Sequence, residues 1–201
     1  MESAGKELLK LIPDVKLVIV HDSIISIDFT NNNNPFVSSL RHSSDVVKKR
    51  VCELLGEFPN LEHLNLQKSK IGNDFHLCNP SVLTYLNLGS NCLNKVPMFI
   101  EESKNLSFLN LGSNYIADVN IHFPSSLTVL KLHKNKVKKF PNLSGLTNLK
   151  TLNFYQNKAC LIPKDVFEIR TLEFFSWGMV PTKIFPEEVS NWKNLKWLSI
   201  I

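Results

Sequence analysis

The chain has 201 residues, of which 43% are hydrophobic, and its formal net charge at pH 7 is +5. This length and apolar content are enough to bury a sizeable core. No stretch reaches the roughly 18 consecutive apolar residues of a membrane span, and Lys10, Pro13 and Lys16 break up the N-terminal hydrophobic residues that a secretory signal would need unbroken. These features argue against a membrane-spanning or secreted protein and predict a soluble one in the cytoplasm.

The sequence lacks the usual patterns of enzyme chemistry. It has no glycine-rich nucleotide or phosphate loop, no Gly-x-Ser-x-Gly nucleophile motif and no His-Glu-x-x-His metal motif. The four cysteines form no Cys-x-x-Cys pair, and we interpret them as buried reduced thiols: Cys52, Cys78, Cys92 and Cys160. We therefore expect no catalytic residue, no cofactor and no metal site, and we predict that the chain is not an enzyme.

Residues 1–60 differ from the rest and are predicted to form an N-terminal capping region. Short β-branched runs at 17–20 and 24–29 predict two strands, separated by residues 21–23. The first run also fits a degenerate copy of the repeat found later in the chain. In that copy Val15, Val18, Val20 and Ile25 take the apolar positions, and Ser23 stands where the repeat has asparagine.

A helix is predicted next, from about residue 44 to residue 56. Ser43, Ser44 and Asp45 offer side-chain oxygens that can cap its N-terminus, and Gly56 is suited to end it. One face of this helix is apolar, with residues at helical spacing: Val47, Val51, Leu54, Leu55 and Phe58. An array of stacked repeats needs a terminal unit to cover its first apolar surface, and we assign that role to residues 1–60.

From Leu61 onward the phrase Leu-x-x-Leu-x-Leu-x-x-Asn-x-(Leu/Ile/Val) recurs, most clearly over residues 83–93 and 106–116. Its leading leucines are about 22 residues apart: Leu61, Leu83, Leu106, Leu127, Leu149, Leu172 and Leu195. A fixed period of this size indicates a solenoid of stacked units. Short strands are predicted at 63–66, 85–88, 108–111, 129–132, 151–154, 174–177 and 197–200, with their leucines pointing inward.

Two further residue types recur at the same place in successive repeats, and we call each such set a column. The asparagines are predicted to stack as a ladder whose amides satisfy backbone groups in buried turns: Asn91, Asn114, Asn135 and Asn157. Ser69 and Val180 replace asparagine, so the ladder is expected to be weaker there. A proline column follows, at Pro97, Pro141, Pro163 and Pro186, and since proline lacks a donor the return segments are not expected to be strands.

The repeats resemble the leucine-rich repeat superfamily over residues 61–201, and most closely its intracellular "typical" class, found in Ras-pathway scaffolds and phosphatase-linked repeat proteins. The resemblance implies an α/β solenoid with a right-handed superhelix, a parallel concave sheet and irregular or 3₁₀ convex segments, here with an N-terminal helical cap. It also implies protein binding through the sheet. The last repeat stops at Ile201, and we interpret it as truncated.

Side chains that alternate with the inward leucines should face outward on the concave sheet. One outward column is rich in aromatic residues, and an amide column beside it (Asn65, Asn87, Asn110 and Asn153) is expected to offer adaptable hydrogen bonds. The predicted partner-binding residues are His63, Tyr85, Phe108, Lys131, His133, Tyr155, Phe174 and Trp197. The alternative is that exposed aromatic residues only stabilise the sheet by lateral packing.

We predict a protein–protein interaction module, acting as a scaffold or regulatory arm in intracellular signalling. The alternative is the non-catalytic part of a larger signalling enzyme, such as a phosphatase or exchange factor, whose catalytic domain lies beyond Ile201. A lysine cluster over residues 131–139 is typical of a solvated face, but it could also attract an acidic partner or anionic lipids. Nucleic-acid binding rests on that cluster alone and is not expected.

Overall fold

The computed structural model describes residues 3–11, 15–29, 44–159, 161–178 and 187–200. Cys160, Val180, Pro186 and Ile201, which the sequence analysis singled out, lie outside these residues, as does Ser43. The described helices are α1 (Ser3–Leu11) and α2 (Asp45–Gly56), and the 3₁₀ segments are Met98–Glu102, Lys164–Glu168 and Glu187–Asn191. The described strands are β1 (Lys16–Val20), β2 (Ser23–Asp28), β3 (His63–Asn65), β4 (Tyr85–Asn87), β5 (Phe108–Asn110), β6 (Val129–Lys131), β7 (Thr151–Asn153), β8 (Phe174–Ser176) and β9 (Trp197–Ser199).

The strands form one open sheet in chain order, and every pair from β2 to β9 is parallel. Equivalent positions of neighbouring repeats lie directly opposite each other, as His63 does with Tyr85 and Tyr85 with Phe108. Each repeat strand is one residue shorter than predicted. The fourth residue still bonds to the next strand, since Leu66 N–H donates to the Asn87 carbonyl at 2.8 Å, but the chain is already turning there.

The inward leucines form a continuous core along the sheet. Leu86 and Leu88 are 0% exposed, and so are the leading leucines of five successive repeats: Leu83, Leu106, Leu127, Leu149 and Leu172. In the sequence, each of the three described 3₁₀ segments directly follows a proline of the column noted above, Pro97, Pro163 or Pro186. The α/β solenoid predicted from the repeats is therefore confirmed.

The asparagines of the turns link each repeat to the one before it. The Asn114 amide nitrogen donates to the Leu111 carbonyl of its own turn and to the Leu88 carbonyl of the preceding repeat, both at 3.0 Å. Its oxygen accepts from Leu93 N–H at 3.1 Å. The same three contacts are made by Asn91, Asn135 and Asn157. Ser69, at the equivalent place in the first repeat, donates to the Gln67 carbonyl of its own turn at 3.4 Å.

The residue before each ladder position adopts a left-handed backbone conformation. The φ angles are 60° at Lys68, 57° at Ser90, 57° at Ser113, 53° at Lys134 and 55° at Gln156. None of these residues is glycine, although glycine adopts this conformation at the least cost. The turns therefore repeat the same backbone shape, and they stack on one edge of the sheet.

The N-terminal region corrects one prediction. The first run is not a repeat, because β1 lies antiparallel to β2 and leaves Val18 and Val20 exposed at 49% and 42%. It is β2 that stands in phase with the repeats: Ser26 pairs with His63, and Ile24, Ile27 and Phe29 are buried in the leucine positions.

The helices of the N-terminal region pack against each other. The sequence analysis did not predict α1, which joins α2 through an ion pair between Glu7 and Arg50 at 2.8 Å. At the start of α2, Ser44 occupies the N-cap position, but its side chain makes no capping hydrogen bond. The expected side-chain cap from Ser44 is therefore not formed.

Candidate functional site

Three aromatic side chains stack along the face of the sheet opposite the leucine core, which we name the concave face. The ring centroids of His63 and Tyr85 are 3.9 Å apart with an interplanar angle of 10°, and those of Tyr85 and Phe108 are 4.3 Å apart at 8°. In-register parallel strands place equivalent side chains about 4.8 Å apart, which suits stacked rings. We name these three residues the aromatic stack.

The aromatic column does not run through the whole sheet. Val129 and Thr151 occupy the next two places, after which Phe174 and Trp197 form a second stacked pair with centroids 4.1 Å apart. Trp197 is 48% exposed. The predicted site residues therefore form one group around β3–β7, which includes Tyr155 just after β7, and a separate pair on β8 and β9.

The rings of the aromatic stack cover one another's faces. A partner on the concave face would therefore contact ring edges and not insert between rings. Ser26 on β2 lies at one end of the stack, with its hydroxyl 3.2 Å from His63 Nδ1. Partial burial lowers the pKa of His63 and thus favours the neutral form of its ring. The sequence analysis missed Ser26, although the repeat phase of residues 24–29 could have indicated it.

Lys131 is the last residue of β6 and His133 lies in the turn after it, both beyond the other end of the stack. The Lys131 ammonium lies 5.2 Å from the centroid of the Phe108 ring, within the range of a cation–π contact. The pKa of His133 is lowered, first by burial and then by the charges of Lys131 and Lys134. Tyr155 is half-buried on the neighbouring turn, where its carbonyl accepts from Lys134 N–H at 2.8 Å.

The amide column does not offer the adaptable hydrogen bonds that we expected. Asn87 and Asn110 are only 6% and 8% exposed. The Asn87 oxygen accepts from the Asn110 amide at 2.9 Å and from Gly89 N–H at 3.0 Å, and Asn110 repeats this turn contact with Gly112 at 2.9 Å. The prediction was wrong here because a short polar side chain bends back to its own turn, which lies only two residues away. These amides stabilise the turns at the ends of the strands. The aromatic and cationic side chains are therefore the ones available to contact a partner.

A separate cavity of about 530 Å³ lies between α2 and the first turn of the array. It is lined by residues of α2 (Lys49, Cys52 and Glu53) and by the segment 70–76 except Asn73. Burial raises the pKa of the Cys52 thiol to about 11, so the sulfur is protonated and weakly nucleophilic at neutral pH. Among the described residues there is no group of His, Cys, Asp and Glu side chains arranged to hold a metal ion. In the same part of the chain, no helix has the length and hydropathy to cross a bilayer.

No protein-family model matches the chain, and no curated protein is similar to it in sequence. Solved structures do match. The Arabidopsis receptor kinase HAESA, in complex with the peptide hormone IDA and the co-receptor SERK1, aligns with a TM-score of 0.66 and 18% identity over 99% of this chain and 41% of that chain. Internalin InlF of Listeria monocytogenes aligns with a TM-score of 0.60 and 16% identity over 72% of this chain and 43% of that chain.

A further internalin of Listeria monocytogenes, internalin C2, aligns with a TM-score of 0.54 and 17% identity over 82% of this chain and 90% of that chain. The chain thus spans less than half the length of the HAESA and InlF chains. At these identities the likeness concerns the fold. Together with the phased strands and buried leucines, it identifies the chain as a leucine-rich repeat solenoid, as the resemblance of its repeats predicted.

Proposed function

We propose that the chain is a protein-interaction module that binds its partner through the concave face. The observation that carries this proposal is the aromatic stack ending at Lys131. Three half-buried rings and a cation lie together on an open surface, while the neighbouring amides are already bonded. Aromatic residues beside a cationic one are the composition of binding hot spots.

The stack is not required for the strands to pair, which argues against lateral packing as its sole role. β5, β6 and β7 keep the same in-register pairing through Val129 and Thr151 as β3, β4 and β5 keep through the rings. A β-branched residue is therefore sufficient at this place in the sheet. The rings add exposed apolar edges that the sheet itself does not need.

The fold supports the same proposal by analogy. HAESA, which shares the solenoid, is described with a peptide hormone and a protein co-receptor. We extend the proposal to a scaffold or regulatory arm of intracellular signalling, located in the cytoplasm. The free thiols of Cys52, Cys78 and Cys92 suit a reducing compartment. Fractionation of cells that express a tagged chain tests the location, and recovery in the secretory fraction would contradict it.

The test of the binding proposal compares two double variants of the full chain. Phe108→Ala with Lys131→Ala removes one ring and the cation of the concave face. Met98→Ala with Lys104→Ala is the matched control, because both of its side chains are exposed outside the sheet. Tagged proteins are crosslinked in cell extract, and the partners that the unaltered chain captures are quantified by mass spectrometry.

We expect the concave variant to lose about thirtyfold in affinity for its partners, since one hot-spot residue contributes about 2 kcal/mol. The control should retain them. Loss of the stacking contact between Tyr85 and Phe108 should cost about 1 kcal/mol of stability, which leaves the protein folded. Full retention of every partner by the concave variant would rule out the concave face as the binding site.

A further inference from the structure

The turns after β3, β4, β5 and β6 form ordered rows along one edge of the sheet. Lys68 N–H donates to the Gly89 carbonyl at 2.9 Å, Ser90 N–H to Gly112 at 2.8 Å and Ser113 N–H to His133 at 2.7 Å. The shared left-handed conformation keeps these turns in the same shape. Residues at equivalent places in the four turns therefore lie side by side.

This edge carries an unbalanced positive charge. The four turns (residues 66–74, 88–95, 111–118 and 132–139) contain seven lysines, all exposed, which we name the basic rim: Lys68, Lys70, Lys95, Lys134, Lys136, Lys138 and Lys139. Their only acidic residues are Asp74 and Asp118, so these turns have a net charge of +5. The whole chain also has +5, and the remaining residues therefore sum to zero.

At the opposite edge of the sheet, Lys150 and Lys196 share a carboxylate partner, which the lysines of the basic rim do not have among the described residues. Glu173 lies between Lys150, at 3.3 Å, and Lys196, at 2.5 Å. Within the part of the chain that the structure describes, no lysine of the basic rim forms an ion pair. Lys136 contacts the Tyr115 ring, with its ammonium 5.0 Å from the centroid. The positive charge of the rim is therefore available to attract an acidic partner.

We propose that the basic rim binds an acidic, extended segment of a protein partner. Four turns at the strand spacing of about 4.8 Å cover about 14 Å, which is the length of four to five extended residues. Glutamate or aspartate side chains along such a segment would meet two lysines in the first turn, one in the second and four in the fourth, while the third turn contains none. This surface is additional to the aromatic stack, since its lysines lie beyond the ends of the strands.

The surroundings of the rim favour a protein partner over a single-stranded nucleic acid. Its four turns contain no arginine, so their lysines act as point charges that bind carboxylate and phosphate alike, and the distinction rests on base stacking. Single-stranded nucleic acids also need open aromatic faces on which bases stack. The faces of Tyr85 in the neighbouring aromatic stack are covered by His63 and Phe108.

The experiment measures binding of a fluorescein-labelled octaglutamate peptide by anisotropy at low ionic strength. The rim variant carries Lys134→Gln, Lys136→Gln, Lys138→Gln and Lys139→Gln. The control removes the same charge from four exposed lysines elsewhere, by substitution to Gln at Lys6, Lys10, Lys104 and Lys193. Far-UV circular dichroism verifies that both variants fold.

We expect the rim variant to bind the peptide about tenfold more weakly or worse, and the control to stay within about twofold. Binding should also weaken as salt is raised from 50 to 300 mM, because exposed charges are screened. The variant Phe108→Ala with Lys131→Ala should lose less than the rim variant, which separates this proposal from the concave one.

Three results would overturn the proposal. The first is an equal loss in rim variant and control, which would mean that only net charge matters. The second is the absence of peptide binding by the unaltered chain. The third is tighter, rim-dependent binding of a single-stranded oligonucleotide with eight phosphates or of phosphatidylserine vesicles, which would assign the rim to a nucleic acid or to a membrane surface.

Discussion

The imidazole of His133 occupies the space that a β-carbon at position 112 would need. Gly112 has no left-handed φ angle, so glycine is required here by the neighbouring side chain and not by the backbone. The Nδ1 atom of His133 is buried and has no hydrogen-bond partner among the described residues. The position of the His133 ring therefore depends on the absence of a side chain at Gly112 in the neighbouring repeat.

Gly112→Ala should consequently destabilise the protein by about 1–3 kcal/mol, as overpacking does in a well-packed site. The measurement is urea unfolding. Gly145→Ala serves as the control, since a β-carbon there meets nothing within 4 Å. The double variant Gly112→Ala with His133→Ala should recover most of the loss, because the two changes are coupled through one contact. If the double variant is no more stable than Gly112→Ala, the clash is not the cause.

Asn114→Ala should destabilise by about 1–3 kcal/mol, because it leaves the N–H of Leu93 without its buried acceptor and removes one of the two ladder amides that donate to each of the Leu88 and Leu111 carbonyls. Asn94→Ala, at an exposed position outside the ladder, should change stability by about 0.5 kcal/mol or less. Urea melts of both variants decide the matter. Similar effects at the two positions would remove the energetic argument for the ladder.

Stability should fall as pH decreases below the ordinary histidine pKa of about 6.5. Burial lowers the pKa of both His63 and His133 in the folded state, so below that pH the unfolded chain binds more protons than the folded one. The loss begins near pH 6.5 and continues until the folded groups also titrate. Unfolding measured between pH 7.5 and 5.5 should show a shallower slope in His133→Gln. The exposed His76→Gln is the control, and an equal change in slope there would contradict this assignment.

Cys52 should resist alkylation in the folded protein, because its thiol is partly buried and its pKa is raised to about 11. Cys78 and Cys92 are exposed, so the prediction that their thiols are buried was wrong, and they should react with iodoacetamide at pH 8 well before Cys52 does. Peptide mass spectrometry of a Cys160→Ser background follows the three thiols. All three should react alike in urea, and equal rates in the folded state would show that Cys52 is accessible.

The repeat period predicted the solenoid because a single spacing determines both which side chains enter the core and which residues pair between neighbouring strands. It set which leucines are inward and placed His63 opposite Tyr85 and Tyr85 opposite Phe108. Side-chain alternation then predicted which residues share the concave face. It did not predict that the ring faces cover one another, which depends on side-chain rotamers.

The N-terminal region was less predictable, because short β-branched runs fit more than one role. Alternation of apolar residues from Val15 to Val20 is compatible with a repeat and equally with the antiparallel strand that is formed. Likewise, alternation placed Asn87 and Asn110 outward, but their bonds to Gly89 and Gly112 bury them. Local polar bonds of this kind compete with simple strand geometry and are not visible in a periodic pattern.

The asparagine ladder affects how the repeats unfold. Because each asparagine is shared between two repeats, the opening of one repeat removes hydrogen bonds from its neighbour, and this nearest-neighbour coupling makes unfolding cooperative. The hydroxyl of Ser69 bonds within its own turn, so the junction between β2 and β3 lacks such a shared amide. Under native-state hydrogen exchange, separation of the N-terminal region from the later repeats should therefore begin at this junction.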